Sequence, residues 1–251
     1  MRINIQKQIA IRKLIVIWSI FTLIAGGCGQ APNKQTGVAT NEIVSSKQEE
    51  NDSTIQEEYN NNSVGNEEKN FRQIALEEKI GNRTLKEYLL DEKIPQTFKD
   101  VFQQKQKLTD DEKTFALIDS IFSSDKERHP FYFVLVTRTM WWSDGAFSEP
   151  LGMAARKYVE NSTQKFLAYF STELTLTSFD FERWAIYTLH EILIDTDENI
   201  KELENTRILM KKNCKECSPE NIKMIDKFIE CMYAEYNEIQ RRNKEWEMKN
   251  L

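Results

Sequence analysis

The run Pro130-Phe131-Tyr132-Phe133-Val134-Leu135-Val136-Thr137-Arg138-Thr139-Met140-Trp141-Trp142 decides the fold class. From Phe131 on it is apolar all round apart from Thr137, Arg138 and Thr139, the pattern of a helix buried on every side. Pro130 suits a first helical turn, where its missing N–H costs nothing. Phe, Tyr and Val also favour sheets, so residues 131–136 have a rival reading as a buried strand. A strand needs a partner of similar quality, and the sequence offers none. The expectation is an all-α domain with this segment as its central helix.

Outward from it, the periodicity stays helical. On the N-terminal side, Thr84 opens Leu85-Lys86-Glu87-Tyr88-Leu89-Leu90, and Pro95 precedes a piece bearing Phe98, Val101 and Phe102. Thr109-Asp110-Asp111-Glu112 has capping-box spacing, with Phe115, Ile118, Ile121 and Phe122 following on one face. On the C-terminal side, Ser148-Glu149-Pro150 opens a helix bearing Leu151, Ala154, Ala155 and Tyr158. Asn161 or Ser162 caps the next, with Phe166, Leu167, Tyr169 and Phe170. Ser178 caps a strong one carrying Phe181, Trp184, Ala185, Leu189 and Ile192. A thinner helix carries Ile200, Leu203 and Met210.

The last helix follows Ser218-Pro219 and is the longest. Ile222, Ile225, Ile229, Met232, Tyr236 and Ile239 alternate spacings of three and four, and Trp246 keeps the phase. Such a seam suits a coiled-coil dimer, but Met224, Phe228 and Cys231 widen the apolar face beyond a narrow stripe. A wide face packs on its own domain, so a monomer is expected. No repeat of 20 to 50 residues is present. The reading is an irregular helical bundle or short helical array of about 7–9 helices ending in a long C-terminal helix.

The chain has 251 residues, 34 Lys+Arg against 40 Asp+Glu, and a formal charge of -6. That composition excludes a multi-span membrane protein and lacks the basic footprint of a nucleic-acid binder. Two histidines make a His-rich metal site improbable, and no P-loop or Gly-x-Ser-x-Gly elbow occurs; no cofactor is implied.

The N-terminus carries an address. Arg2, Lys7, Arg12 and Lys13 precede an almost wholly apolar stretch over residues 14–24, then Ala25-Gly26-Gly27-Cys28. This segment resembles a bacterial lipoprotein signal with its lipobox, although Ala25 stands where Leu is usual. The resemblance implies that residues 1–27 are removed and Cys28 is lipidated, anchoring the protein in a cell envelope outside the cytoplasm. Gly29 in place of Asp points to the outer membrane where the organism has one. An uncleaved anchor is the rival reading. Removing residues 1–27 takes away four basic residues and no acid, leaving a charge of about -10.

Residues 28–70 read as the lipidated Cys28 and a polar, acidic tether without sustained period. Residues 71–251 read as one helical domain.

The candidate sites each have two readings. Arg138 is a lone charge in a very apolar helix and, if buried, needs a carboxylate; Asp144 and Glu149 are nearby in sequence, and Glu191 sits in the other highly apolar helix. Trp141 and Trp142 beside Asp144-Gly145 make a contact surface for a sugar, lipid or protein, or else they are core. His190-Glu191 lacks the second histidine of a zincin, since Ile stands at 194, and His129 falls in a loop. Glu149 as a cell-wall acid would need a sugar groove and, commonly, a second carboxylate; Ser148-Glu149 reverses the Glu-Ser string of helical lytic transglycosylases. Cys214-Lys215-Glu216-Cys217 is expected to form a local disulfide in an oxidising compartment.

Two function classes follow. One is a tethered module that holds a protein partner, an envelope complex component or an incoming toxin. The other is an envelope ligand-binding protein or cell-wall enzyme with a site near Trp141, Asp144 and Glu149.

Overall fold

A computed structural model of the chain describes residues 72–109, 111–143, 145–196 and 198–250. The residues read as a signal (1–27), Cys28 and the residues read as a tether, as well as Asp144, lie outside the described residues.

The described residues form nine α-helices, one 3₁₀ turn and one small hairpin. The fold is all-α and ends in a long helix, as the sequence periodicity predicts. The hairpin was not expected. Strand β1 (Lys79–Ile80) pairs antiparallel with β2 (Arg83–Thr84), in register Lys79 to Thr84 and Ile80 to Arg83. Gly81 adopts φ +61° and its amide donates to Glu173 Oε2 at 2.7 Å. A positive φ at the first of two loop residues is what a II′ turn demands. A Cβ there would also sit 3.0 Å from Pro130 Cγ, so the turn packs directly on the central helix.

Helix α1 (Leu85–Leu90) starts in a full capping box between Thr84 and Glu87. Helix α2 (Gln96–Phe102) follows Pro95 and buries Phe98, Val101 and Phe102. Helix α3 (Glu112–Asp119) is capped by Asp111, not by Thr109, whose hydroxyl instead donates to Asp111 Oδ2 at 2.7 Å. At Ser120 the chain tightens into the 3₁₀ turn Ser120–Phe122. Leu117 and Ile118 of the helix and Ile121 of the turn enter the core, while Phe115 and Phe122 stand at the rim, correcting the expected single face.

Helix α4 (His129–Thr139) is the central element, buried on all sides from His129 onward apart from Pro130 in its first turn. Helix α5 (Gly145–Asn161) begins earlier than expected and carries Pro150 inside it. Gly152 lies where α5 meets a neighbouring helix: a Cβ would be 3.3 Å from the Tyr187 carbonyl. Helix α6 (Thr163–Thr172) follows Ser162 without a side-chain cap. Helix α7 (Ser178–Asp195) is capped by Thr177 with Asp180 in a capping box, one residue before the expected Ser178. Helix α8 (Asn199–Lys212) buries Leu203 and Met210 but leaves Ile200 exposed.

Helix α9 (Pro219–Lys249) has 31 residues, which is about 46 Å at 1.5 Å per residue. It lies against α6, α7 and α8 and buries Ile225, Phe228, Ile229, Cys231, Met232 and Ile239. Trp246 falls beyond that contact and is exposed. Aromatic rings fill the centre. Trp184 stacks on Phe133 at 5.1 Å and donates from Nε1 to Thr137 Oγ1 at 2.9 Å, while Phe166 and Phe228 close the far side.

Candidate functional site

Helix α4 stops at Thr139, and the chain winds on through a turn. The amides of Trp141, Trp142 and Ser143 donate to the carbonyls of Arg138, Thr139 and Thr139 at 3.1, 3.2 and 2.9 Å. Both indoles therefore stand half-buried at the edge of the core, past the end of the helix that was expected to include them. Trp141 Nε1 donates to Asp180 Oδ1 at 2.7 Å, and the Arg183 guanidinium lies 4.4 Å from the ring centre. The Tyr187 hydroxyl donates to the Met140 carbonyl at 3.1 Å and accepts from Ser143 Oγ.

Arg138 is buried. Its Nη1 donates to the Arg72 carbonyl at 3.2 Å, and its guanidinium lies 4.7 Å from the Phe102 ring centre. Burial pulls its pKa down to about 10, with the Asp180 charge opposing. Asp180 is thus an acid acting on Arg138 that the sequence reading did not name. Burial raises the Asp180 pKa, against bonds from Trp141 and Thr177. Its sequence signal is the Thr177-to-Asp180 spacing, a capping box that places one carboxylate under the start of α7.

Glu149 is exposed on α5, and Glu191 lines a groove in which no tryptophan takes part. The string around Trp141 is therefore a corner between α4 and α7, and the two carboxylates belong elsewhere.

The histidines are held differently from one another. His129 is not in a loop but opens α4, buried. Its Nε2–H donates to the Ile121 carbonyl at 2.7 Å, so Nδ1 accepts from the Tyr169 hydroxyl at 2.6 Å. The ring stacks on Tyr169 and Tyr158. Burial, with Lys165 adding to it, lowers its pKa to about 4. His190 is half-buried on α7; burial first, then Arg242 and Arg183, lower its pKa to about 4. Among the described residues no group of three His, Cys, Asp or Glu side chains is placed to hold a metal ion.

Cys214 and Cys217 are joined by a disulfide with Cα atoms 5.2 Å apart, closing the turn between α8 and α9. Cys231 is buried on α9. Among the described residues no helix is long and apolar enough to cross a membrane.

A second place was invisible in the sequence because three separate segments build it. Phe115, Ile118, Asp119 and Phe122 form one wall of a groove of about 480 Å³. Helix α5 forms the other, from Pro150 through Met153, Ala154 and Lys157 to Asn161, and Glu191 of α7 closes the side. Arg156 anchors the wall, binding Glu160 at 3.1 Å, Asp195 at 2.9 Å and Glu202. Lys157 Nζ lies 4.8 Å over the Phe122 ring. Comparison with protein-family models, with curated proteins and with solved structures returned no match.

Proposed function

We propose that the protein is a membrane-tethered, extracytoplasmic helical lipoprotein that acts as a protein-interaction module, as part of an envelope complex or in neutralising an incoming toxin. The observation that carries the reading is the contrast between the two candidate places. At the Trp141 corner the Trp141 Nε1 is held by Asp180 and the Ser143 hydroxyl by Tyr187, which suits packing. In the groove, Phe115, Phe122 and Met153 stand with apolar surface in water. Exposed apolar residues gathered around a depression mark association surfaces more often than chemistry.

The N-terminal signal supplies the address. Cys28→Ser is expected to abolish incorporation of radiolabelled fatty acid and leave an unlipidated precursor or a soluble product. Wild-type labelling of that variant would remove the tether from the reading. Crosslinking in the native envelope then tests the module: a reproducible protein adduct is expected, and its absence across crosslinkers of different reach would count against an interaction role.

A further inference from the structure

The groove is long and shallow. Phe115 stacks on Phe147 at 6.3 Å near the start of α5, and Phe122 meets Tyr158 at 6.0 Å near its end. The α3 wall and α5 thus run side by side in the same direction. From Pro150 to Asn161 the α5 wall extends about 16 Å at 1.5 Å per residue, three turns of a facing helix. Its floor, Ile118 and Ala154, is buried, whereas the rim residues Phe115, Phe122 and Met153 are 36, 39 and 56% exposed. A small ligand is ordinarily enclosed over most of its surface. Walls whose apolar faces stand in solvent suit instead an amphipathic helix lying along them. Met153 adds a flexible contact that adjusts to the shape of an incoming side chain.

The charge in and beside the groove is predominantly acidic. Asp119, Glu160 and Glu191 line it against Arg156 and Lys157, and Glu149, Asp195 and Glu202 lie beside it, with Lys201 next to Glu202. Arg156 is shared among three of those carboxylates, and Lys157 rests on Phe122 at the far end. Glu191 is half-buried; burial raises its pKa and the Asp195 and Glu149 charges add to that, with Arg156 opposing. A cation brought to this point by a partner relieves the repulsion.

We propose that the groove between α3 and α5 binds a cationic amphipathic helix of a partner protein or peptide. Its apolar face lies on Phe115, Phe122 and Met153, and its Lys or Arg side chains meet Glu149, Glu191 and Asp195. This rests on the interaction-module reading and deepens it by naming the occupant.

The test uses the full-length chain in phosphatidylcholine nanodiscs, with empty nanodiscs as blank. The probe is a fluorescein-labelled 14-residue Leu/Lys peptide with Leu at helical spacing, followed by anisotropy. It is expected to bind at least tenfold tighter than a scrambled peptide of equal composition and than its Glu-for-Lys counterpart, with binding that weakens as salt rises. Met153→Lys is expected to weaken binding at least tenfold with an unchanged thermal melt, since Met153 is exposed. Glu191→Gln is expected to weaken it several-fold. Equal binding of the scrambled peptide, preference for the acidic one, or wild-type affinity in Met153→Lys overturns the proposal. A photo-crosslinking residue placed at Met153 or at Trp246 in cells separates the two levels of inference. An adduct at Met153 that the basic peptide competes away supports the groove. Adducts at Trp246 alone overturn the groove and leave the module standing, and adducts at neither position count against both.

Discussion

Lowering the pH from 7 to 4.5 should weaken the fold through His129 by a calculable amount. Both ring nitrogens are committed, Nε2 donating to Ile121 and Nδ1 accepting from Tyr169, so the folded protein holds the neutral ring. Its pKa lies near 4 in the fold against 6.5 for the ordinary side chain. As pH falls below 6.5 the unfolded chain takes up a proton that the folded chain refuses, so stability declines until about pH 4 and then levels. Each tenfold in proton affinity is worth about 1.4 kcal/mol, which makes the loss between pH 7 and 4.5 about 2–3 kcal/mol. Other groups titrate in the same window: His190 adds in the same direction. Glu191, Glu235 and Asp180, whose pKa values burial raises, gain protons in the folded state and oppose it. The clean quantity is therefore a difference of differences. Urea unfolding followed by circular dichroism at both pH values, in wild type and in His129→Gln, should show the wild type losing about 2–3 kcal/mol more than the variant. A double difference within about 0.5 kcal/mol of zero, or a ring proton titrating near 6.5 by NMR, would refute the assignment of His129 as a buried neutral partner of Tyr169.

Three further outcomes follow from packing. Gly81→Ala should cost about 1–3 kcal/mol, because φ +61° and a Cβ 3.0 Å from Pro130 Cγ offer alanine neither conformation nor space; an unchanged urea midpoint would contradict the turn. Replacing both Cys214 and Cys217 by Ser should cost about 2 kcal/mol for so short a loop, with reductant lowering the wild-type melt to match; a melt insensitive to reductant would deny the staple its weight. Ile229→Ala should cost about 2–5 kcal/mol as a fully buried truncation, in a protein that sediments as a monomer and melts independently of concentration; a wild-type dimer converted by that change to a folded monomer would reassign the α9 seam.

What the sequence conveyed and what it withheld divide along physical lines. Helix α4 was legible because an uninterrupted apolar run has one helical meaning, burial on all sides. Helix α9 was legible because three-and-four spacing from Ile222 to Ile239, with Trp246 in phase, outweighs local exceptions. Caps were placed a residue or two away at Thr177 and Asp111, since neighbouring Ser, Thr and Asp compete for one role and the tertiary entry angle chooses. Pro150 looked like a helix start because its ring blocks the bond to residue 146, yet α5 begins at Gly145 and accepts that single missing bond. The hairpin over residues 79–84 escaped because strands of two residues have no period to detect; its only trace is Gly81-Asn82. The groove had no signature at all, being assembled from residues 115–122, 150–161 and 191 by the packing of three helices.

Arg138 shows how a string that reads as a site becomes an anchor. A guanidinium in an apolar helix must recover in hydrogen bonds what it loses in hydration, and the sequence suggested Asp144 or Glu149 nearby or Glu191 on the other apolar helix. The structure supplies part of that recovery from 66 residues away, through the Arg72 carbonyl, and part from the Phe102 face and the Asp180 charge. Arg72 is the first described residue, and its side chain is itself tied to Glu78 and to the Leu174 carbonyl. The one cation of the central helix therefore fixes the segment at Arg72 to α4 and, through Asp180 and Trp141, to the start of α7. A charge with that many structural obligations has little left to offer a ligand. The groove between α3 and α5 differs in that Phe115, Phe122 and Met153 keep part of their apolar surface in water.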